Sequence, residues 1–85
     1  MSKLTSTEKK WLDKVQKVLN ECPSDRLGFY TIGDQFLHIY DLTKFDEINK
    51  MEMSTGWYWP AVIDRLNAGF DYYLQFPSSI EAVAG

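Results

Sequence analysis

The stretch from Arg26 to Asp41, RLGFYTIGDQFLHIYD, constrains the fold most, because it predicts a β-hairpin that is apolar on both faces. Gly33-Asp34 is a two-residue turn signal, in which glycine supplies the positive φ of a type I′ or II′ turn. Pairing about this turn puts three pairs on one face: Ile32 with Gln35, Tyr30 with Leu37, and Gly28 with Ile39. The other face then carries Leu27, Phe29, Thr31, Phe36, His38 and Tyr40. Because strand side chains alternate with a period of two, each face needs its own cover.

A helix is predicted before the hairpin. Thr5 and Glu8 fit a capping box, in which each side chain accepts a hydrogen bond from the backbone N–H of the other residue. An apolar stripe follows at steps of three and four residues: Trp11, Leu12, Val15, Val18, Leu19 and Cys22. Lys10, Lys14 and Lys17 fall on the opposite side of this helix. Pro23 is expected to end it.

Two short helices and a strand are predicted after the hairpin. The first helix begins at Thr43 in TKFDEINKM, and 54–56 break its pattern. The second begins at Pro60, with Gly69 placed to end it. The segment 70–76, FDYYLQF, alternates like a half-buried strand, and the tail 78–85 has no clear pattern.

These elements predict one α+β domain over residues 1–85. It contains an N-terminal amphipathic helix, a β-hairpin, two short helices and a C-terminal strand, with a three-stranded antiparallel sheet packed with helices. If the first helix covers one face of the hairpin and the later helices the other, the chain encloses its own sheet. The alternative is that one face of the hairpin is a binding surface.

Composition favours a folded protein of the cytoplasm. An apolar fraction of 45% and an aromatic fraction of 15% are enough for a small core. Cys22 is the single cysteine, so the fold needs no disulfide and no oxidising compartment. The first residues lack the apolar region of a signal peptide, and no apolar run approaches 18 residues. We therefore expect a cytoplasmic protein with no membrane partner.

Enzyme motifs are absent from the sequence, which contains no GxGxxG, Walker loop, GxSxG or HExxH. We therefore predict no catalytic, cofactor-binding or metal-binding residues and no enzymatic activity. His38 is the only histidine, and a strand residue with an ordinary hydrogen bond explains it. A small enzyme built on His38 with Asp34, Asp41 or Tyr40 is the hypothesis ranked last.

Exposed aromatic and acidic residues are the predicted contacts with a protein partner. Four consecutive residues, Trp57-Tyr58-Trp59-Pro60, cannot all face the core, and aromatic rings are enriched at interfaces. The predicted contact residues are Trp57, Tyr58, Tyr40, Phe36, Asp46 and Glu47. Asp46 and Glu47 also suit the N-terminal turn of a helix, where negative charge is favoured, so they have a structural explanation as well.

Charge is distributed unevenly along the chain. The net charge is −3, but residues 1–20 carry a net +3 and residues 21–85 a net −6. Nucleic-acid binding through Lys10, Lys14 and Lys17 is an alternative function, disfavoured by a pI near 4.9. In a variant of this alternative, the acidic face of residues 41–71 mimics nucleic acid and occupies a DNA-binding protein.

Two segments, LNECPSDRLGFYTIGD (19–34) and FPSSIEAVAG (76–85), resemble small accessory proteins encoded in tailed-phage and prophage genomes of enteric bacteria. This resemblance implies a bacterial cytoplasm and a dispensable role exerted by binding a host or phage protein. It carries over no functional residues. The leading hypothesis is a non-enzymatic protein-interaction module, whose partner is another protein or a second copy that forms a homo-oligomer such as a dimer.

Overall fold

The computed structural model describes residues 2–81, which form an α+β fold of three helices and one three-stranded antiparallel sheet. The predicted fold class and order of elements are confirmed. The elements are α1 (Ser6–Asn20), β1 (Leu27–Tyr30), β2 (Phe36–Asp41), α2 (Phe45–Thr55), α3 (Trp59–Arg65) and β3 (Gly69–Gln75). A 3₁₀ turn, Leu42–Lys44, precedes α2. Part of the tail 78–85, residues 82–85, lies outside the described residues.

The first helix begins as its sequence predicts. Thr5 Oγ1 accepts a hydrogen bond from Glu8 N at 3.1 Å, and Glu8 Oε1 accepts one from Thr5 N at 2.9 Å. This is the complete capping box, which satisfies backbone donors that α1 would otherwise leave without partners.

The other two helices end differently from the prediction. α2 continues to Thr55 and stops where Gly56 adopts a left-handed φ of 70°. α3 ends at Arg65, and Asn67 (φ 53°) takes the left-handed position that we expected Gly69 to take. Asparagine tolerates this conformation better than most residues. Gly69 instead begins β3, where it lies opposite Tyr40.

The pairing of the hairpin is shifted by one residue from the predicted register, which was wrong. Tyr30 lies opposite His38, and Gly28 lies opposite Tyr40. The cause is the loop of five residues, 31–35, between β1 and β2. Within it Thr31 Oγ1 accepts a hydrogen bond from Gly33 N at 3.2 Å, and Asp34 Oδ1 accepts one from Phe36 N at 2.9 Å. These side-chain bonds close a wider loop than the two-residue turn.

The shift places Tyr30 and Tyr40 on the same face of the sheet, and α2 and α3 cover that face. A core cluster of buried residues lies between the two layers: Tyr40, Ile48, Val62, Ile63 and Ala68. The Tyr40 ring packs edge-on against Trp59 at 5.5 Å and against Tyr30 at 5.9 Å between ring centroids. We call this the helix-covered face.

The third strand is less buried than predicted. Phe70 is half-buried, whereas the other six residues of β3 are exposed. The pairing of β2 with β3 is irregular between His38 and Tyr40, and Asp71 adopts a left-handed φ of 55° in the corresponding part of β3. Such a bulge interrupts the alternation of side chains, so the period-two pattern of 70–76 does not translate into one buried face.

Candidate interaction surface

The first helix is amphipathic but is not packed into the core. Within residues 2–81, α1 contributes no buried residue, and Val15 is its only half-buried position. Trp11 is 53% exposed and Val18 is 68% exposed. Of the two alternatives that the sequence leaves open, coverage of one hairpin face by this helix is therefore realised only in part. The exposed apolar side chains are Leu4 and five residues of the predicted stripe: Trp11, Leu12, Val18, Leu19 and Cys22.

The second face of the sheet is the one that α2 and α3 leave uncovered, and we call it the open face. Period-two alternation assigns to it Leu27, Phe29, Leu37, Ile39 and Leu74. Phe29 is 44% exposed and Leu74, directly opposite Leu37, is 40% exposed. One face of the sheet is thus enclosed, whereas the other is partly open, since its remaining side chains, Leu27, Leu37 and Ile39, are half-buried.

Two apolar hollows show how α1 lies relative to the open face. The first, of about 460 Å³, is lined by Val18, Leu19 and Cys22 together with Phe29 and Leu37. The second, of about 440 Å³, is lined only by residues of α1 and the segment before it: Leu4, Thr7, Glu8, Trp11 and Leu12. The helix therefore approaches the sheet at its C-terminal end. We call the α1 stripe and the open face together the apolar surface.

The segment between α1 and β1 is ordered by local hydrogen bonds and by Pro23. The Cys22 thiol donates a hydrogen bond to Ser24 O at 3.4 Å, and Ser24 Oγ accepts one from Arg26 N at 3.1 Å. Pro23 restricts its own φ and the conformation of Cys22. These local contacts order the connection between α1 and β1.

The lysines of α1 lie on the side away from the apolar stripe. Lys10, Lys14 and Lys17 are all exposed, as the sequence predicts. Lys9 forms an ion pair with Asp13 at 2.9 Å, but both side chains are largely exposed, so this pair contributes little to stability. The exposed cations therefore give α1 a basic side opposite its apolar stripe.

The predicted contact residues do not form one patch. Tyr40 is only 4% exposed, so a partner at the surface cannot reach it, and it is no longer a candidate contact. Phe36 is half-buried and packs edge-on against Tyr73 at 5.0 Å between ring centroids.

The other four predicted contacts are exposed and belong to the helical layer: Asp46, Glu47, Trp57 and Tyr58. Asp46 and Glu47 lie in the first turn of α2, and Trp57 and Tyr58 link α2 to α3. Trp59, the next ring, is half-buried against Tyr40, so this aromatic run divides between the core and the surface as its density predicts.

A polar cleft of about 500 Å³ lies between α3 and β3. Its polar side chains are His38, Asp64, Asn67 and Asp71, together with three tyrosines, Tyr30, Tyr72 and Tyr73. The His38 ring stacks on Tyr30 at 5.0 Å between centroids, and its buried Nε2 has no hydrogen-bond partner among residues 2–81. The expected ordinary hydrogen bond of His38 is therefore not found at Nε2.

The acid–base constellation of the last-ranked hypothesis is not assembled at this cleft. Neither Asp34 nor Asp41 lines it, and Tyr40 lies in the core. Asp41 instead accepts hydrogen bonds from Thr43 Oγ1 at 2.6 Å and Thr43 N at 3.1 Å, which cap the 3₁₀ turn. The Thr43 hydroxyl is the main cause that lowers the pKa of Asp41, and the nearby cations Arg26 and Lys44 add to it.

Burial sets the chemistry of the two core tyrosines. It raises the pKa of Tyr40, and it also raises the pKa of Tyr30, to which the charge of Tyr58 adds. Both phenols are therefore neutral at ordinary pH and act by packing.

Neither a metal site nor a membrane span is found in the part of the chain that the structure describes. Residues 2–81 contain no group of three or more His, Cys, Asp or Glu side chains arranged to hold a metal ion. No helix among them has the length and apolar character needed to cross a bilayer. Comparison with protein-family models, curated proteins and solved structures gives no match.

Proposed function

We propose that this chain is a non-enzymatic protein-interaction module that binds a protein through its apolar surface. The observation that carries the proposal is the exposure of α1. This capped amphipathic helix has no buried residue in the described chain, residues 2–81. A 15-residue helix is marginally stable alone in water, and burial of its apolar face normally stabilises it. A protein partner would provide that burial.

The chemistry of the apolar surface defines the partner. Trp11 and Phe29 have large aromatic side chains, which bury much apolar area and lose little conformational entropy when they bind. Side chains of this type contribute most of the binding energy when they enter a pocket on the partner. The net charge of +3 over residues 1–20 favours a partner that carries acidic groups around its apolar contact area. Trp57, Tyr58, Phe36, Asp46 and Glu47 remain predicted contacts of a separate region.

The proposal extends to the biological class of the protein. We place it among accessory proteins of phage or prophage origin that act in the cytoplasm, and this part rests on the resemblance of segments 19–34 and 76–85 alone.

A photo-crosslinking amino acid at defined positions tests the proposal. Benzoylphenylalanine replaces Trp11 or Phe29 in cells that produce the chain, and Met53, which is 85% exposed on α2, is the matched control position. We expect illumination to give discrete protein adducts from positions 11 and 29 but not from 53. Equal labelling from all three positions, or none from 11 and 29, would contradict the proposal.

Nucleic-acid binding is the second candidate function, favoured by the exposed row of Lys10, Lys14 and Lys17. Cations that contact phosphates release counterions, so binding of this kind weakens steeply as salt increases. If the lysine row has this function, fluorescence anisotropy with a DNA or RNA oligonucleotide at low salt shows binding that Lys10→Glu, Lys14→Glu and Lys17→Glu abolish together. A flat anisotropy titration of the wild type at low salt removes this candidate. The acidic-mimic variant predicts instead that a DNA-binding protein is retained by the unmodified chain.

A further inference from the structure

We infer that the partner at the apolar surface is a second copy of this chain, with the N-terminal half of α1 of each copy lying on the open face of the other. This inference rests on the proposed function, since it names the partner of that surface. The contact is reciprocal, so two copies related by a two-fold axis bury both α1 stripes and both open faces.

The single chain leaves more surface exposed than a compact protein of its mass. Its accessible area is 7118 Å², whereas a compact monomer of 9.9 kDa is expected to expose about 5,200 Å². The Cα radius of gyration is 15.5 Å, against about 12 Å for a compact domain of this length. The excess of about 1,900 Å² per copy exceeds the roughly 800 Å² per partner that a stable interface needs.

The two parts of the apolar surface, the α1 stripe and the open face, can cover each other in two copies of the chain. The α1 stripe needs an apolar sheet to pack on, and the open face needs an amphipathic helix to cover it. The hollow lined by Leu4, Trp11 and Leu12 lies along the N-terminal half of α1 and has no strand residue in its lining, so these side chains can reach a partner. α1 is about 22 Å long and the outer strands of the sheet are about 10 Å apart, so half of the helix is long enough to cross the sheet.

The N-terminal segment and the rest of the chain carry opposite net charges. Residues 1–20 carry a net +3 and residues 21–85 a net −6. Placing α1 of one copy on the body of the other brings opposite charges together, whereas packing α1 against α1 would bring two lysine-rich segments together. Electrostatics thus favour the helix-on-sheet contact over the helix-on-helix contact.

The test is the solution mass of the purified chain across a concentration series, measured by light scattering and analytical ultracentrifugation. We expect the wild type to reach twice the chain mass of 9.9 kDa and to remain a dimer in 1 M salt. Trp11→Glu and Phe29→Glu each weaken the dimer about 30-fold or more, as expected for the loss of a large buried anchor. Met53→Glu, an equally drastic change at an exposed position outside the apolar surface, leaves the dimer intact.

Mixing the two disruptive variants tests the reciprocal arrangement. In a mixed dimer, the intact α1 of the Phe29→Glu copy lies on the intact open face of the Trp11→Glu copy, and both changes fall in the other half of the interface. We therefore expect the mixture to dimerise more tightly than either variant alone. A mixture no tighter than its components overturns the helix-on-sheet contact. Far-UV and near-UV circular dichroism of each variant confirm that it is folded.

The outcomes separate this inference from the proposed function. A wild type that is monomeric at every concentration, or a dimer that both variants retain, overturns the inference. If position 11 then crosslinks to a protein of a different mass, the proposed function stands with another partner. If positions 11 and 29 give no adduct at all, both fail.

Discussion

The tightest steric constraint at the scale of single residues lies between Gly28 and Tyr40. A Cβ atom at position 28 would lie 2.5 Å from two atoms of the Tyr40 ring, which is shorter than any tolerable contact. The ring cannot move aside easily, because Trp59 and Tyr30 pack against it. Gly28 is therefore needed for close approach rather than for unusual backbone geometry, and it allows the tyrosine to fill the core.

Gly28→Ala is expected to lower the free energy of unfolding by about 1–3 kcal/mol, as overpacking does in well-packed cores. Urea denaturation followed by tryptophan fluorescence measures the change. Gly69→Ala is the matched control, since its Cβ would meet only the Ile63 side chain at 3.3 Å, and it should be less destabilising. Equal stability of Gly28→Ala and wild type would show that the Tyr40 ring is not confined.

Asp41 is expected to titrate below the ordinary carboxyl value of about 3.9, because its charged form accepts hydrogen bonds from Thr43. Because the pKa of Asp41 is lower in the folded protein than in the unfolded chain, the ionised carboxylate stabilises the fold, and this contribution is fully present at pH values above the ordinary carboxyl pKa. It is lost as the pH falls through the lowered pKa. Carboxyl-detected NMR titration measures the midpoint, and Thr43→Val should raise it. An unchanged midpoint in Thr43→Val, as in the control Thr7→Val, would exclude the hydroxyl as the cause.

At the scale of elements, local signals predict the helices and long-range packing decides the rest. The capping box at Thr5 and the stripe of α1 are visible in the sequence because they depend on residues within a few positions of each other. The pairing of β1 with β2 depends on whether Thr31 and Asp34 close a loop with their side chains, which a turn dipeptide does not reveal. The one-residue shift then exchanges the faces of Tyr30 and Phe29, because alternation has a period of two.

The candidate surface also depends on long-range packing that the sequence does not reveal. The sequence shows that both faces of the hairpin are apolar and that α1 is amphipathic, but not that the two remain apart. Tyr40 is indistinguishable from an exposed strand aromatic until its partners Ile48 and Val62 come together from distant segments. The sequence does predict that the run 57–60 cannot be wholly buried, and the structure exposes both Trp57 and Tyr58.

Because no residue of α1 is buried, we expect this helix to unfold without loss of the core. Gln16→Pro interrupts the helix in its interior, where proline removes a hydrogen bond and clashes with the preceding turn. At a concentration where the wild type is monomeric, far-UV circular dichroism should lose helical signal. The near-UV signal of the Tyr40–Trp59 cluster and the urea midpoint should stay nearly unchanged. Cooperative loss of both signals would show that α1 is part of the core.

The whole molecule is elongated, with extents of 47 × 29 × 20 Å, and electrically divided between a basic helix and an acidic body. The two properties act together in the proposed dimer. Charge guides the encounter between copies, whereas the apolar side chains determine how long they stay together.

Raising the salt concentration from 0.1 M to 1 M should therefore slow association of two copies and leave dissociation almost unchanged. Charges steer the approach and are screened, while apolar contacts are not. Stopped-flow fluorescence transfer measures both rates, with the dyes attached to a cysteine placed by Met53→Cys, outside the apolar surface, in a chain that also carries Cys22→Ser. The triple variant Lys10→Glu, Lys14→Glu, Lys17→Glu should associate slowly even at low salt. A dissociation rate that rises with salt would instead indicate an interface dominated by ion pairs.

The bulge in β3 has a consequence for how far assembly can proceed. β3 is an edge strand of the sheet, and the backbone groups along such an edge can recruit another strand and begin unlimited fibril growth. Asp71 places a charged residue with a left-handed backbone in the middle of that edge, where it breaks the straight line of donors and acceptors that a recruited strand would need. This interruption disfavours strand addition at the β3 edge, so the proposed dimer has one edge fewer from which larger assemblies could grow.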